Sequence, residues 1–325
     1  MKASRIALAF FATLALHAAP AAHAQTFPSK PVRLIVPFPA GGSSDVLARS
    51  FAQELSITWK QPVVVENISG AGSIIGAERV ASAPPDGHTL LFTIDPTVVG
   101  NRFLYKKLPY DPDKGLVPIS MLARSGQFVI VHPSFPATTL RELVDVVRRS
   151  PGKVAYSSYG PGTHPHLVLE TIAKREGLQM LHIPYKGIAP SSAALVAGEV
   201  QVTVGSPAAT GAMVKAGRMR AIAITSPARM PRFPDVPTSS EAGFPYVKAI
   251  IWFGMFAPGG TDAKLIERIN LDATTIAKRP DFIEKHIEAL SLELVANTPA
   301  EFAAAIRADV ENIGEMVRAA GVQPE

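Results

Sequence analysis

The chain has 325 residues, 47% of them hydrophobic, with a formal charge of +5 and no cysteine. That length exceeds one ordinary core and predicts two units of domain size. The lack of cysteine excludes disulfides, thiolate metal sites, a thiol nucleophile and an acylated amino-terminal Cys, and the scattered charge excludes a nucleic-acid surface.

The first 24 residues carry Lys2 and Arg5, an apolar run from Ile6 to about Ala19, and Ala22-His23-Ala24 ahead of Gln25. They read as a secretory signal cleaved near Ala24, because the apolar run is well short of the ~20 residues that a membrane-spanning helix needs. Cleavage removes two positive charges and no acid, which lowers +5 to +3. The mature chain is expected free in the periplasm.

Val32–Val36 is a β-branched run that ends at Pro37-Phe38-Pro39-Ala40-Gly41-Gly42-Ser43-Ser44-Asp45, after which Leu47, Phe51 and Leu55 recur at helical spacing. The pattern is strand, glycine-rich loop, helix. It repeats with a strand at Val63–Glu66, a helix opened by Gly70-Ala71-Gly72 and running through Val80, and a strand at Thr89–Thr93 after the turn Pro85-Asp86-Gly87. Strands alternating with helices predict an α/β lobe with a largely parallel sheet. Phe128–Val131 is a further strand. Thr139 and Glu142 have capping-box spacing ahead of a helix whose apolar face is Leu140, Leu143, Val144 and Val147.

A second series follows: a strand near Val154–Ser158, the loop Tyr159-Gly160-Pro161-Gly162-Thr163, a helix to about Glu176, and strands near Leu181–Pro184, Val200–Val204 and Ala221–Thr225. From Arg229 to Gly260 the chain is punctuated by proline and glycine around the apolar segment Trp252–Phe256, which reads as the return crossing between lobes. Two helices close the chain, one from about Asp262 to Lys278 and one introduced by Thr298-Pro299-Ala300-Glu301, both expected on the first lobe. The expected division is 1–24 signal, 25–126 with 248–325 as lobe 1, and 127–247 as lobe 2.

Strand-to-helix loops present unpaired N–H groups and the positive end of a helix dipole, which favour an anion. Gly41 and Gly42 allow close backbone approach, Ser43 and Ser44 add hydroxyl donors, and Tyr159 to Thr163 makes the same offer from lobe 2, with Thr163 placed to cap its helix. Two such loops hold a carboxylate with roughly micromolar affinity and no arginine clamp. Asp45 opposes an anion unless it turns away. Thr93 and Asp95 lie just beyond a strand end, where open sheets bind ligands. Gly70 to Gly76 resembles a dinucleotide-binding glycine pattern with Asp95 as its distant acid, but it is the second such unit in the lobe. His164 and His166 form an H-x-H pair at a helix start, where the two side chains diverge, so capping or packing is favoured over metal. No cofactor, no metal and no catalytic motif is expected.

Phe27-Pro-Ser-Lys-Pro-Val-Arg-Leu-Ile-Val-Pro-Phe-Pro-Ala-Gly-Gly42 with Asp45, Val64-Val-Glu-Asn67 with Gly70-Ala-Gly72, Pro85-Asp-Gly-His-Thr-Leu-Leu91, Pro109-Tyr-Asp-Pro112, His182-Ile-Pro-Tyr-Lys-Gly187, Pro234-Asp-Val-Pro-Thr238 with Glu241-Ala-Gly243, and Trp252 leading to Ala257-Pro258 occur in order. Together these blocks resemble the Bug family, the extracytoplasmic receptors of tripartite tricarboxylate transporters, from about Phe27 to the carboxyl end. The resemblance implies a type II periplasmic binding fold: two Rossmann-like α/β lobes joined by a hinge that close like a flytrap on a small carboxylate. It puts the grip on the loops that hold Phe38, Ala40, Gly41, Gly42, Ser43, Ser44 and Asp45 and Tyr159, Gly160, Gly162 and Thr163, and the expected ligand-binding set adds Thr93, Asp95, His166, Gly205 and Ser206. Departures from the family pattern are Ala40 where a second proline is common, Gly115 where an acid is usual, and Gly205-Ser206-Pro207. The implied partners are the large and small subunits of a membrane permease, with the receptor a monomer and no nucleic acid involved. The alternatives are an exported enzyme using the same cleft, which product formation reveals, and a sensor that signals through a membrane protein.

Overall fold

The computed structural model describes residues 27–185 and 187–324. The expected signal segment lies outside the described residues. No helix among them is long and apolar enough to cross a membrane.

Lobe 1 begins with β1 (Val32–Val36), α1 (Ser43–Trp59), β2 (Val63–Asn67), α2 (Ile74–Ala81) and β3 (Thr89–Ile94). A helical turn at Pro96–Gly100 then runs into α3 (Asn101–Leu104), and β4 (Leu116–Gly126) leads out of the lobe. Lobe 2 contains β5 (Phe128–Val131), α4 (Leu140–Arg149), β6 (Ala155–Ser158), α5 (His164–Glu176), β7 (Leu181–Pro184), α6 (Ile188–Val196), β8 (Val202–Gly205), α7 (Pro207–Lys215) and β9 (Arg220–Ile224). The chain returns through β10 (Ile250–Pro258), α8 (Ala263–Ala277), α9 (Pro280–Phe282), β11 (Glu293–Leu294) and α10 (Pro299–Ala320).

The two sheets have the orders β11-β4-β10-β3-β1-β2 and β7-β6-β8-β5-β9. β1 is parallel to β2 and β3, and its Val32, Leu34, Ile35 and Val36 are all buried, as in a strand covered on both faces. The sheets are mixed rather than largely parallel. β10 runs antiparallel between β3 and β4, and β5 runs antiparallel to β8 and β9. The reason is the double crossing: a strand that returns from the other lobe enters its sheet in the opposite direction. The apolar segment Trp252–Phe256 is therefore an inner strand of lobe 1, with Trp252, Met255 and Phe256 fully buried.

The crossings are stitched together at one point. Gln127 N donates to Thr225 Oγ1 at 2.7 Å, and Thr225 Oγ1 donates to the carbonyl of Ala249 at 2.5 Å, so one threonine just after β9 ties the outgoing and the returning crossing together. Gly126 admits no side chain there, because a Cβ would lie 2.6 Å from the Ser226 nitrogen.

The last helix corrects one expectation. α10 packs against β4 of lobe 1 and also against α5 of lobe 2, so it spans the lobes instead of resting on the first. Its Phe302, Ile306, Ile313 and Val317 belong to a single apolar core that also contains Ile35 and Leu91 of lobe 1 and Val129, Tyr156 and Leu169 of lobe 2. The capping box survives as read: Thr298 accepts from Glu301 N and the Glu301 carboxylate accepts from Thr298 N.

Candidate functional site

Strand direction determines which edges face each other. β4 enters β5 directly, and β3 and β4 both run antiparallel to β10, so the carboxyl-terminal edges of β1, β3 and β4 face lobe 2. β8 is antiparallel to β5 and parallel to β6, so the carboxyl-terminal edges of β6 and β8 face lobe 1. The loops after β1 and β6 therefore open on the same cleft.

On the lobe 1 side, Phe38 packs against the core, Ala40, Gly41 and Gly42 are exposed, Ser43 is half-buried, and Ser44 and Asp45 are buried. Gly42 is the N-cap of α1 and supplies no side-chain acceptor. The N–H groups at the start of this helix thus lack an intrahelical partner. Asp45 turns inward: it accepts from Gly41 N at 2.9 Å, from Arg49 Nε at 3.0 Å and from Asn67 Nδ2 at 2.9 Å. Burial alone would raise its pKa, but these donors outweigh it and hold the carboxyl below the usual range. The acid is neutralised where it stands, and the Gly41 N–H is spent on it.

On the lobe 2 side, Gly160 N donates to Ser158 Oγ at 3.1 Å and Gly162 N to His166 Nδ1 at 3.0 Å. Three of the four glycine N–H groups expected to grip an anion, those of Gly41, Gly160 and Gly162, donate instead to side chains of their own segments. Thr163 occupies the N-cap of α5, yet its hydroxyl donates to Gly160 O at 2.6 Å instead of capping the helix. Ser206 caps α7 by accepting from Ala209 N, and Gly205 lies at the edge of β8, paired with Phe128 beside the hinge. Thr93 is fully buried in a hydroxyl chain with Thr97 and Ser73.

His166 and His182 stack at 4.4 Å, and His182 stacks on Tyr156 at 4.9 Å. The stack backs the loop from Tyr159 to Thr163. Burial pushes His166 down, and burial followed by the His166 charge pushes His182 down to about 4. Both rings favour their neutral forms, so their contribution to stability is complete above about pH 6.5 and is lost as pH falls, for His182 toward about 4. His164 and Asp309 have raised values and act in the opposite direction, so a difference measurement isolates the stack. In a thermal melt series, the Tm gap between the wild type and His182→Gln is expected to narrow from about pH 7.5 to about pH 4.5. A constant gap rules this role out.

Sequence reading did not pair Asp95 with His164. His164 Nε2 lies 3.0 Å from Asp95 Oδ2 across the cleft, and both residues are buried. Burial alone would lower the His164 pKa, but the charge and hydrogen bond of Asp95, with Asp309 behind it, raise it. Asp309 of α10 accepts from Trp252 Nε1 at 2.7 Å, and burial, reinforced by Asp95, pushes its carboxyl up to about 6. The Tyr159 hydroxyl is also pushed up, by burial and then by Asp95. The only advance signal was an acid at a strand end and a histidine at a helix start, 69 residues apart in the chain. Asp95 is also the distant acid of the dinucleotide-like glycine pattern, and its Oδ2 faces His164. Among the described residues no group of His, Asp and Glu has the arrangement of a metal site.

A cavity of about 530 Å³ lies elsewhere. It is lined by Gly126, Ser226, Met230, Ile287 and Leu292. In both sheets the hinge strands β4 and β5 separate it from the edges of β3 and β6, so it lies behind the hinge and not in the cleft.

Comparison with known proteins gives a consistent result. Residues 47–322 match the model of the tripartite tricarboxylate transporter family receptor. Protein BugT of Bordetella pertussis is 34% identical over 316 residues, covering 97% of this chain and 96% of that protein. Among solved structures, Rpa4515 of R. palustris, described with adipate, superposes with a TM-score of 0.81 at 29% identity, covering 92% of this chain and 100% of that one. MatC of Rhodopseudomonas palustris, described with bound malate, gives 0.76 at 28% identity over 90% of this chain and 100% of that one.

Proposed function

This chain belongs to the tripartite tricarboxylate transporter receptor family, and we propose that it takes a small carboxylate into the cleft between its lobes and closes over it for delivery to a membrane permease. Members of the family are periplasmic solute-binding receptors, not enzymes. The observation that carries the carboxylate reading is the pair of helix starts: α1 and α5 both open on the cleft, and neither N-cap residue spends a side chain on the helix. Free N–H groups and the dipole of each helix then favour an anion. The adipate and malate held by two structural neighbours support the same ligand class.

The grip falls to Gly42, Ser43 and Ser44 from lobe 1 and to the start of α5 from lobe 2, with Tyr159 as the wall between them. Release from the signal segment near Ala24 and hand-over to large and small permease subunits complete the proposed cycle.

The test is a thermal-shift screen of refolded, ligand-stripped protein against carboxylates and their uncharged esters. A ligand at 100 times its Kd adds about 2.7 kcal/mol, which for a chain of this size raises Tm by roughly 5–10 °C. If esters raise the melting point and carboxylates of every size leave it unmoved, the proposal fails.

A further inference from the structure

Asp95 is 4% exposed and stands at the carboxyl-terminal edge of β3, in the cleft wall. Its Oδ2 is paired with His164 of the opposite lobe at 3.0 Å. Its Oδ1 is buried and has no hydrogen-bond partner among the described residues. Most buried acceptors in proteins have a donor, and an ionised carboxylate can only accept. A group that completes Asp95 must therefore bring an O–H or an N–H. A methylene chain pressed against it would exclude water and leave the oxygen unpaired.

The surroundings provide the rest of a subsite. His164 begins α5, whose N-cap Thr163 lends it no side-chain acceptor, so a ligand carboxylate near this helix start lies close to Asp95. Lobe 2 also approaches lobe 1 closely there, for a Cβ at Gly162 would lie 2.1 Å from Leu104 of α3. A ligand held at the start of α5 is brought against the Asp95 edge when the lobes close.

We infer that Asp95, fixed by His164 across the cleft, is a specificity-determining residue that selects carboxylates carrying a hydroxyl or ammonium group beside the carboxylate over the unsubstituted acid. This rests on the carboxylate-receptor reading above. Hydroxyl and ammonium share the donor that Oδ1 lacks, and they differ in charge.

Isothermal titration of the ligand-stripped protein with malate, aspartate and succinate separates the cases, since succinate has the same chain without the donor. Malate or aspartate is expected to bind at least about 30-fold tighter than succinate. In Asp95→Asn that ratio is expected to fall below about 3-fold, with the larger loss for aspartate if the natural donor is an ammonium. A purely structural role for Asp95 would weaken all three acids alike and leave the ratio unchanged, and that result overturns the inference. So does a wild type that binds succinate as well as malate and aspartate. If Asp95→Asn does not fold, as checked by circular dichroism, Asp95→Ser is measured against the same two ratios. Carboxylates that bind without a donor preference sink this inference alone, whereas no carboxylate binding at all sinks the receptor reading as well.

Discussion

Replacing Gly162 with alanine is expected to weaken carboxylate binding by at least about tenfold, or about 1.4 kcal/mol, while leaving the far-ultraviolet circular dichroism unchanged. Two effects act together. Gly162 has φ +73°, a conformation that costs a residue with a Cβ roughly 1–2 kcal/mol. The added methyl would also lie 2.1 Å from Leu104 Cδ2 on the other lobe. The first effect strains the loop in every state of the protein, whereas the second acts only when the lobes meet. Leu104→Ala in the same chain relieves the second and not the first, so the double variant measures the share due to blocked closure. An unchanged Kd in Gly162→Ala would mean that closure does not bring these two residues together.

Removing the ring of Phe302 is expected to have the largest effect on stability, about 3–5 kcal/mol, seen as a Tm drop of roughly 6–20 °C. The side chain is fully buried. Its ring stands edge-on to Trp252, at 5.0 Å between centroids and 90° between planes, and lies 5.0 Å from Phe256. It also fills the space left by Gly254, where a Cβ would be 2.4 Å from Phe302 Cζ. The site cannot collapse readily, because the strand that holds Trp252 and Phe256 is paired on both sides by β3 and β4. α10 also touches α5, so the loss propagates to the second lobe. Ile57, 68% exposed, is the control, since Ile57→Ala is expected to stay within about 0.5 kcal/mol. A Phe302→Ala chain that melts within about 3 °C of the wild type contradicts this packing.

Local chemistry was legible where it depends on neighbours in the chain. The glycine-rich turn after Val36, the capping boxes at Thr139 and Thr298, and the buried run of β1 each follow from residues within a few positions of one another. Strand direction was not legible. The apolar segment Trp252–Phe256 has the composition of an inner strand, but the surrounding prolines mark it equally well as a crossing, and only pairing with Ile94 and Arg124 decides between them. The role of single donors was hidden for a similar reason. Gly162 has the freedom expected of a ligand loop, but its N–H is taken by His166 one helical turn later.

The sequence by itself determined two α/β lobes and the strand-to-helix loops that open on the cleft. Spacing, helix starts and strand patterning are encoded over short stretches, so they survive without coordinates. Tertiary structure alone decided that α10 spans both lobes, that Asp45 is neutralised by Arg49 and Asn67, and that Asp95 meets His164 across the cleft. Asp45 meets partners 4 and 22 positions away within one lobe, Asp95 meets one 69 positions away, and α10 reaches elements much farther back in the chain, so the last two outcomes depend on how the lobes meet. At Asp45 the outcome matters chemically, because a carboxylate removed from water is held charged by the donors that surround it.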